Sequence, residues 1–165
     1  MSREQRLRED AARHGFDVDD PITVGGRYAP LARHGDLAYV SGQIPRIGER
    51  VAVVGAVGAD VSLADARGAA CISALRVLAL LRRVTGSLDA VDGVLRLGVY
   101  VRCTPDFTQH SEVADAASDL LMQVLGDAGA HARTSVGVLQ LPKGAVVEID
   151  AVASIRASDA GAQAG

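Results

Sequence analysis

The spacing of apolar residues changes rhythm several times along the chain, and each rhythm predicts an element. From Gly93 the alternation has period two: Leu95, Leu97, Val99, Val101 and Cys103 fall on one face of a strand and Arg96, Gly98, Tyr100 and Arg102 on the other. Two segments have the helical period instead. Ala70, Ala74, Val77, Leu78 and Leu81 recur at spacings of three and four, as do Val113, Ala116, Ala117, Leu120, Leu121 and Val124. The first helix opens at Ser62-Leu63-Ala64-Asp65, which fits a capping box, and is predicted to run to Thr85-Gly86. The second ends in Gly126-Asp127-Ala128-Gly129, suited to a C-cap. Two short strands are expected around a turn at His34-Gly35-Asp36, and a third at Val51 to Val57. The N-terminal residues predict a short polar helix stopped by Gly15, followed by a loop rich in Asp, Pro and Gly.

Between His131 and Ile155 the pattern predicts two strands joined by a tight turn at Pro142 and Gly144. Three charges interrupt this otherwise apolar stretch: Arg133 at its head, and Glu148 and Asp150 in its second arm. A two-residue turn at Pro142-Lys143 would pair Gly137 with Glu148 and Arg133 with Val152. Arg133, Ser135 and Gly137 would then share a polar face with Glu148 and Asp150. In that register Arg133 lies roughly 13 Å from the level of Glu148, at about 3.3 Å per residue, too far for a salt bridge within the chain. Either the two are unrelated or they meet across a subunit boundary.

The resulting order, β-β-β-α-β-α-β-β, describes an α+β fold: a mostly antiparallel sheet with two helices on one face. The other face is left bare. Tyr100, Val146 and Val152 are expected there among charges, too apolar for free solvent and too polar for a core, and a second copy of the chain would cover them. The division expected is an N-terminal helix and linker over residues 1–21, one domain over 22–156, and a flexible, small polar tail over 157–165.

Composition narrows the function classes. A chain of 165 residues with 48% hydrophobic and 22% charged residues has ordinary globular usage. A net charge of −3 and an aromatic content of 3% provide neither the basic footprint nor the stacking platform of a nucleic-acid binder, so endoribonuclease activity is not expected. No run of about 18 apolar residues is present to span a bilayer, and the charged N-terminus lacks the apolar core of a signal peptide, so a cytoplasmic location is expected. Cys71 and Cys103 lie in apolar segments without C-x-x-C spacing and read as buried thiols. The four histidines show no ligand spacing, so no metal site is expected.

Three motifs, Y-V-S-G-Q-I-P (residues 39–45), T-P-D-F (104–107) and A-R-T-S-V-G-V-L-Q-L-P-K-G-A-V-V-E-I-D (132–150), resemble the Rid (YjgF) family of reactive-intermediate deaminases. The resemblance covers residues 22 to 156 and is nearest to the longer branch, which has an extra N-terminal helix and a V-G-A-D segment, here residues 57–60. It implies a chorismate-mutase-like fold and a homotrimer that closes its sheets around a central barrel, with ligand sites in the clefts between subunits. Arg133 corresponds to the arginine that binds a substrate carboxylate, for which the guanidinium's bidentate geometry is suited. Glu148 corresponds to the glutamate that orients or activates water. Tyr28 and Ser41 match pocket residues, and Gly42 serves the turn beside them. Ser111 and Ser135 stand where the best-known deaminases carry asparagine and cysteine, and are counted with the substrate-binding set.

The activity implied is hydrolysis of small enamine or imine acids of the 2-aminoacrylate type, releasing ammonia and a 2-oxo acid. Such carbons are already electrophilic, so a clamped carboxylate and a positioned water suffice, and no cofactor is called for. The alternative is a trimeric small-carboxylate-binding or accessory protein of a metabolic or biosynthetic pathway, without turnover.

Overall fold

A computed structural model describes residues 1–156; the expected flexible tail at 157–165 lies outside the described residues. The elements run α1 (Arg3–Arg13), β1 (Leu31–His34), β2 (Leu37–Gln43), β3 (Arg46–Ile47), β4 (Arg50–Val51), α2 (Leu63–Thr85), β5 (Val91–Arg102), α3 (His110–Leu125), β6 (Ala132–Val138) and β7 (Val147–Ile155). The main sheet has the order β1-β2-β7-β5-β6. All its pairings are antiparallel except that of β5 with β6.

That parallel pair corrects the expected C-terminal hairpin. β6 follows β5 through α3, and such a strand-helix-strand crossover is what parallel pairing requires. β5 therefore lies between β6 and β7, and Arg133 is level with Leu97, not with Val152. Pro142–Gly144 does form a 3₁₀ turn, but it belongs to a longer crossing that passes the end of β5, held there by the amide of Arg102 donating to the Val146 carbonyl at 2.9 Å.

The core lies between the sheet and the two long helices. On α2, Ala70, Ala74, Val77, Leu78 and Leu81 are fully buried, as the helical period predicts. The Ser62 hydroxyl accepts from the Asp65 amide at 3.0 Å and donates to its carboxylate at 2.8 Å, while Gly86 ends the helix at φ 79°. On α3, Val113, Ala117, Leu121 and Val124 are equally buried. Each buried leucine contributes about 1.5–3 kcal/mol relative to exposure. The N-terminal helix is joined to this body: Leu7 is 0% exposed, Arg3 donates to the carbonyls of Leu88 and Val91, and Glu4 pairs with Arg82 at 2.7 Å.

Two strand expectations change. Residues 51–57 do not form one strand: Arg50–Val51 pairs with Arg46–Ile47, and Gly55 (φ 130°) and Gly58 (φ 92°) turn the chain out of extension. In β5 a bulge inserts Leu95 between the residues facing Ala153 and Val152, so Leu95 is 46% exposed and Val94 takes its core position. The second face of the sheet is uncovered by helices, with Tyr39 at 47% and Val136 at 40% exposure and Tyr100 and Val152 partly exposed. Val146, expected there, is fully buried just before β7.

Candidate active site

The expected site residues occupy two separate surfaces. The first is a cleft of about 380 Å³ between the loop carrying Tyr28, the end of β2, α2 and the β6–β7 crossing. Glu148 and Tyr28 both line it. β2 is bulged between Val40 and Gln43, which brings Gly42 against the Glu148 carboxylate; a Cβ there would stand 2.1 Å from Oε1. Only glycine admits that approach. The half-buried Glu148 carboxylate has no hydrogen-bond partner among the described residues. Burial first, and the neighbouring Asp150 carboxylate second, push its pKa above the ordinary glutamate value. Asp150 in turn accepts from the Tyr100 hydroxyl at 3.1 Å.

Ser41 does not line this cleft. Its hydroxyl donates to the Ala29 carbonyl at 2.7 Å and its amide to that of Pro30 at 3.0 Å. It thereby ties the Tyr28 loop to β2.

The second surface carries Arg133 over α3. Its Nη1 is 2.9 Å from both Asp115 Oδ1 and Ser118 Oγ, and its Nη2 donates to the Ser111 carbonyl at 3.5 Å. Ser111 thus meets Arg133 through its backbone. Ser135 lies two residues farther along β6, on the same face, level with Val99. A relay holds Ser118 in turn: its oxygen is 2.9 Å from His131 Nε2, and His131 Nδ1 is 2.6 Å from the Gly129 carbonyl. Because the carbonyl can only accept, Nδ1 carries a proton; in the neutral ring Nε2 then accepts from Ser118, which leaves the Ser118 lone pairs for Arg133. Arg133 is fixed at 20% side-chain exposure. Asp115, Ser118 and His131 were not singled out from sequence. Ser118 and His131 are 13 residues apart, and nothing in the pattern links them.

The cleft also holds residues that sequence reading passed over, namely Arg46 and Arg76. Arg76 could have been found: it is the lone charge in the ten-residue run from Ile72 to Leu81. Cys71 and Cys103 are only partly buried; burial pushes the Cys71 thiol up to about 11, an unreactive value at neutral pH. Among the described residues no group of three or more His, Cys, Asp or Glu could hold a metal ion, and no helix is long and apolar enough to cross a membrane.

This mixed sheet backed by two long helices, with a glycine-lined carboxylate at a strand bulge, is the chorismate-mutase-like α+β architecture. The family model described as "YjgF/chorismate_mutase-like, putative endoribonuclease" matches residues 9–153, and the chain belongs to that family. It is 36% identical over 151 residues to Protein TCP17 of Trypanosoma cruzi, covering 91% of this chain and 94% of that protein. Among solved structures it resembles Atu1372 of Agrobacterium tumefaciens, a protein of unknown function, at 36% identity, 94% coverage of both chains and a TM-score of 0.82. A Shewanella oneidensis protein described as a putative endoribonuclease shares the fold at 24% identity and a TM-score of 0.85, over 94% of this chain and 100% of that one.

Proposed function

We propose that the protein is a hydrolytic deaminase of small enamine or imine acids, active as a cytoplasmic homotrimer whose sites form between subunits. The observation that carries this reading is the Glu148 carboxylate: half-buried, pressed against Gly42 in a cleft, raised in pKa and without a hydrogen-bond partner among the described residues. Such a carboxylate is poised to accept a proton from water. In the reaction, a carbon–oxygen bond forms between that water and the imine carbon as Glu148 takes the proton. The C=N electron pair moves to nitrogen, which takes that proton from Glu148. Glu148 then carries the carbinolamine hydroxyl proton to the amine nitrogen, and as the C=O bond forms the C–N bond breaks, releasing ammonia and a 2-oxo acid.

Arg133 clamps the substrate carboxylate. Within one chain it stands on the other side of the sheet from Glu148, so the clamp reaches the cleft of a neighbouring subunit. Cover for the bare sheet face, with Tyr39, Tyr100, Val136 and Val152, comes from the same association.

The test is ammonia release from imino acids generated in situ by an amino-acid oxidase, comparing the intact protein with Glu148→Gln and Arg133→Ala. Acceleration over buffer that disappears in both folded variants supports the reading. No acceleration for any side-chain size leaves the protein a carboxylate binder without turnover.

A further inference from the structure

The mechanism leaves unused the one buried Lys or Arg among the described residues. Arg76 is 5% exposed, yet its Nε donates to Gln43 Oε1 at 3.1 Å and its Nη1 to the Arg46 carbonyl at 3.2 Å, both neutral acceptors. It has no ion pair among the described residues. A buried guanidinium without counter-charge is costly, and burial together with Arg46 and Arg83 lowers its pKa to about 10, which still leaves it charged at neutral pH.

A second cation repeats the pattern in the same cleft: Arg46 Nε is buried and has no hydrogen-bond partner among the described residues. Lys143 stands at the rim, the one non-glycine residue with positive φ, at 55°, among those described. Such a backbone is costly for a side chain that gains nothing from it. Three cations therefore line a cavity of about 380 Å³ in which Glu148 is the one acidic lining residue. A small anion supplies the missing counter-charge and acceptors, and two guanidiniums are the donors best matched to a carboxylate or phosphate.

We infer that Arg76 and Arg46 form an oxyanion subsite beside Glu148, and that the substrate is a small imine or enamine acid carrying a second anionic group. The inference rests on reading the Glu148 cleft as the reaction site. The reacting end of the substrate then presents its carboxylate to Arg133 of the neighbouring subunit, and its far end, a carboxylate or a phosphate, to Arg76 and Arg46.

The intact protein is titrated calorimetrically with inorganic phosphate, succinate and acetate. Phosphate or succinate is expected to bind at least tenfold more tightly than acetate, and whichever is tighter assigns the second group. Arg46→Gln, at a partly exposed position, is expected to weaken that binding at least tenfold, as is Arg76→Gln if it folds. Arg8→Gln, a half-exposed cation on α1 outside this cleft, is expected to leave phosphate binding within threefold. Equal binding of all three anions, or phosphate and succinate binding indifferent to Arg46→Gln, overturns the subsite. So does a drop in oligomer mass in Arg46→Gln with anion binding unchanged, because a neighbour's carboxylate would then be the counter-ion. Turnover is followed in parallel. Arg46-dependent anion binding without ammonia release from any imino acid keeps the subsite and removes the deaminase reading, whereas turnover that never prefers a second acidic group does the reverse.

Discussion

Arg133 and Glu148 face opposite sides of one sheet. Arg133 is level with Leu97, on the helix-covered face where it meets Asp115 and Ser118, while Glu148 is level with Tyr100 on the uncovered face. Three residues of β5, roughly 10 Å, and the thickness of the sheet separate them. A shared site therefore needs two chains. Mixing Arg133→Ala with Glu148→Gln under exchange conditions should restore activity that neither variant has alone. In randomly mixed cyclic trimers about one site in four receives both intact residues, so about a quarter of wild-type activity is expected. Ammonia release that stays at the background of the separate variants would place both residues in one chain's chemistry, or in none.

Glu148 also predicts a pH dependence of definite sign. Its folded pKa lies above the unfolded value, so the folded state binds its proton more tightly; the stability this gives is full below the unfolded pKa and is lost as pH rises through the folded one. Glu148→Gln should thus be more stable than wild type at neutral pH, and the advantage should shrink in acid, as thermal melts from pH 4 to pH 8 would show. Activity needs the ionised form, so the acid limb of kcat/KM should fall above the ordinary glutamate value of about 4.3. Asp150→Asn removes the second cause of the shift and should move that limb to lower pH. An unmoved limb would mean that another group controls it.

The helices were legible because each is long, capped and periodic: the stripe from Ala70 to Leu81 is buried as predicted, and Ser62 and Gly86 cap its ends. The order of strands was not. Two apolar segments around Pro142 and Gly144 look alike whether they pair with each other or with a third strand, since strand pairing is non-local and the turn residues serve either path. That misreading put Arg133 and Glu148 on one face. Leu95 was misplaced for a smaller reason: a bulge adds one residue and inverts the alternation before it. The choice of individual site residues does not rest on register, because motif identity is independent of it. Their grouping does, since only tertiary structure tells which face each occupies.

Gly42 and Gly129 separate function from stability. A Cβ at Gly42 meets the end of the Glu148 side chain at 2.1 Å, and that carboxylate can swing away. Gly42→Ala should fold with a stability change within about 1 kcal/mol and lose activity about 10–100-fold as the base is displaced. At Gly129 the same atom meets the Leu121 carbonyl oxygen at 2.4 Å, backbone that cannot give without moving α3. Gly129→Ala should destabilise by about 2 kcal/mol or more. Denaturant unfolding and ammonia release on both variants check the pair, and a Gly42→Ala protein with full activity would remove the need for Glu148 in that position.

Ser118 tests whether Arg133 must be held or only present. Removing its hydroxyl leaves His131 Nε2 without its donor and Arg133 Nη1 with Asp115 alone, at a site where Ser118 is 8% exposed. The loss of stability in Ser118→Ala should be about 1–2 kcal/mol, the cost of unsatisfied buried groups. If positioning matters, KM for an imino acid should rise several-fold with kcat less affected, because a looser clamp binds ground state and transition state alike less well. Arg133→Lys should lose more, since an ammonium keeps the charge but not the paired donors. A lysine variant equal to wild type would show that Arg133 acts as a point charge, and the relay through Ser118 and His131 would then serve the fold alone.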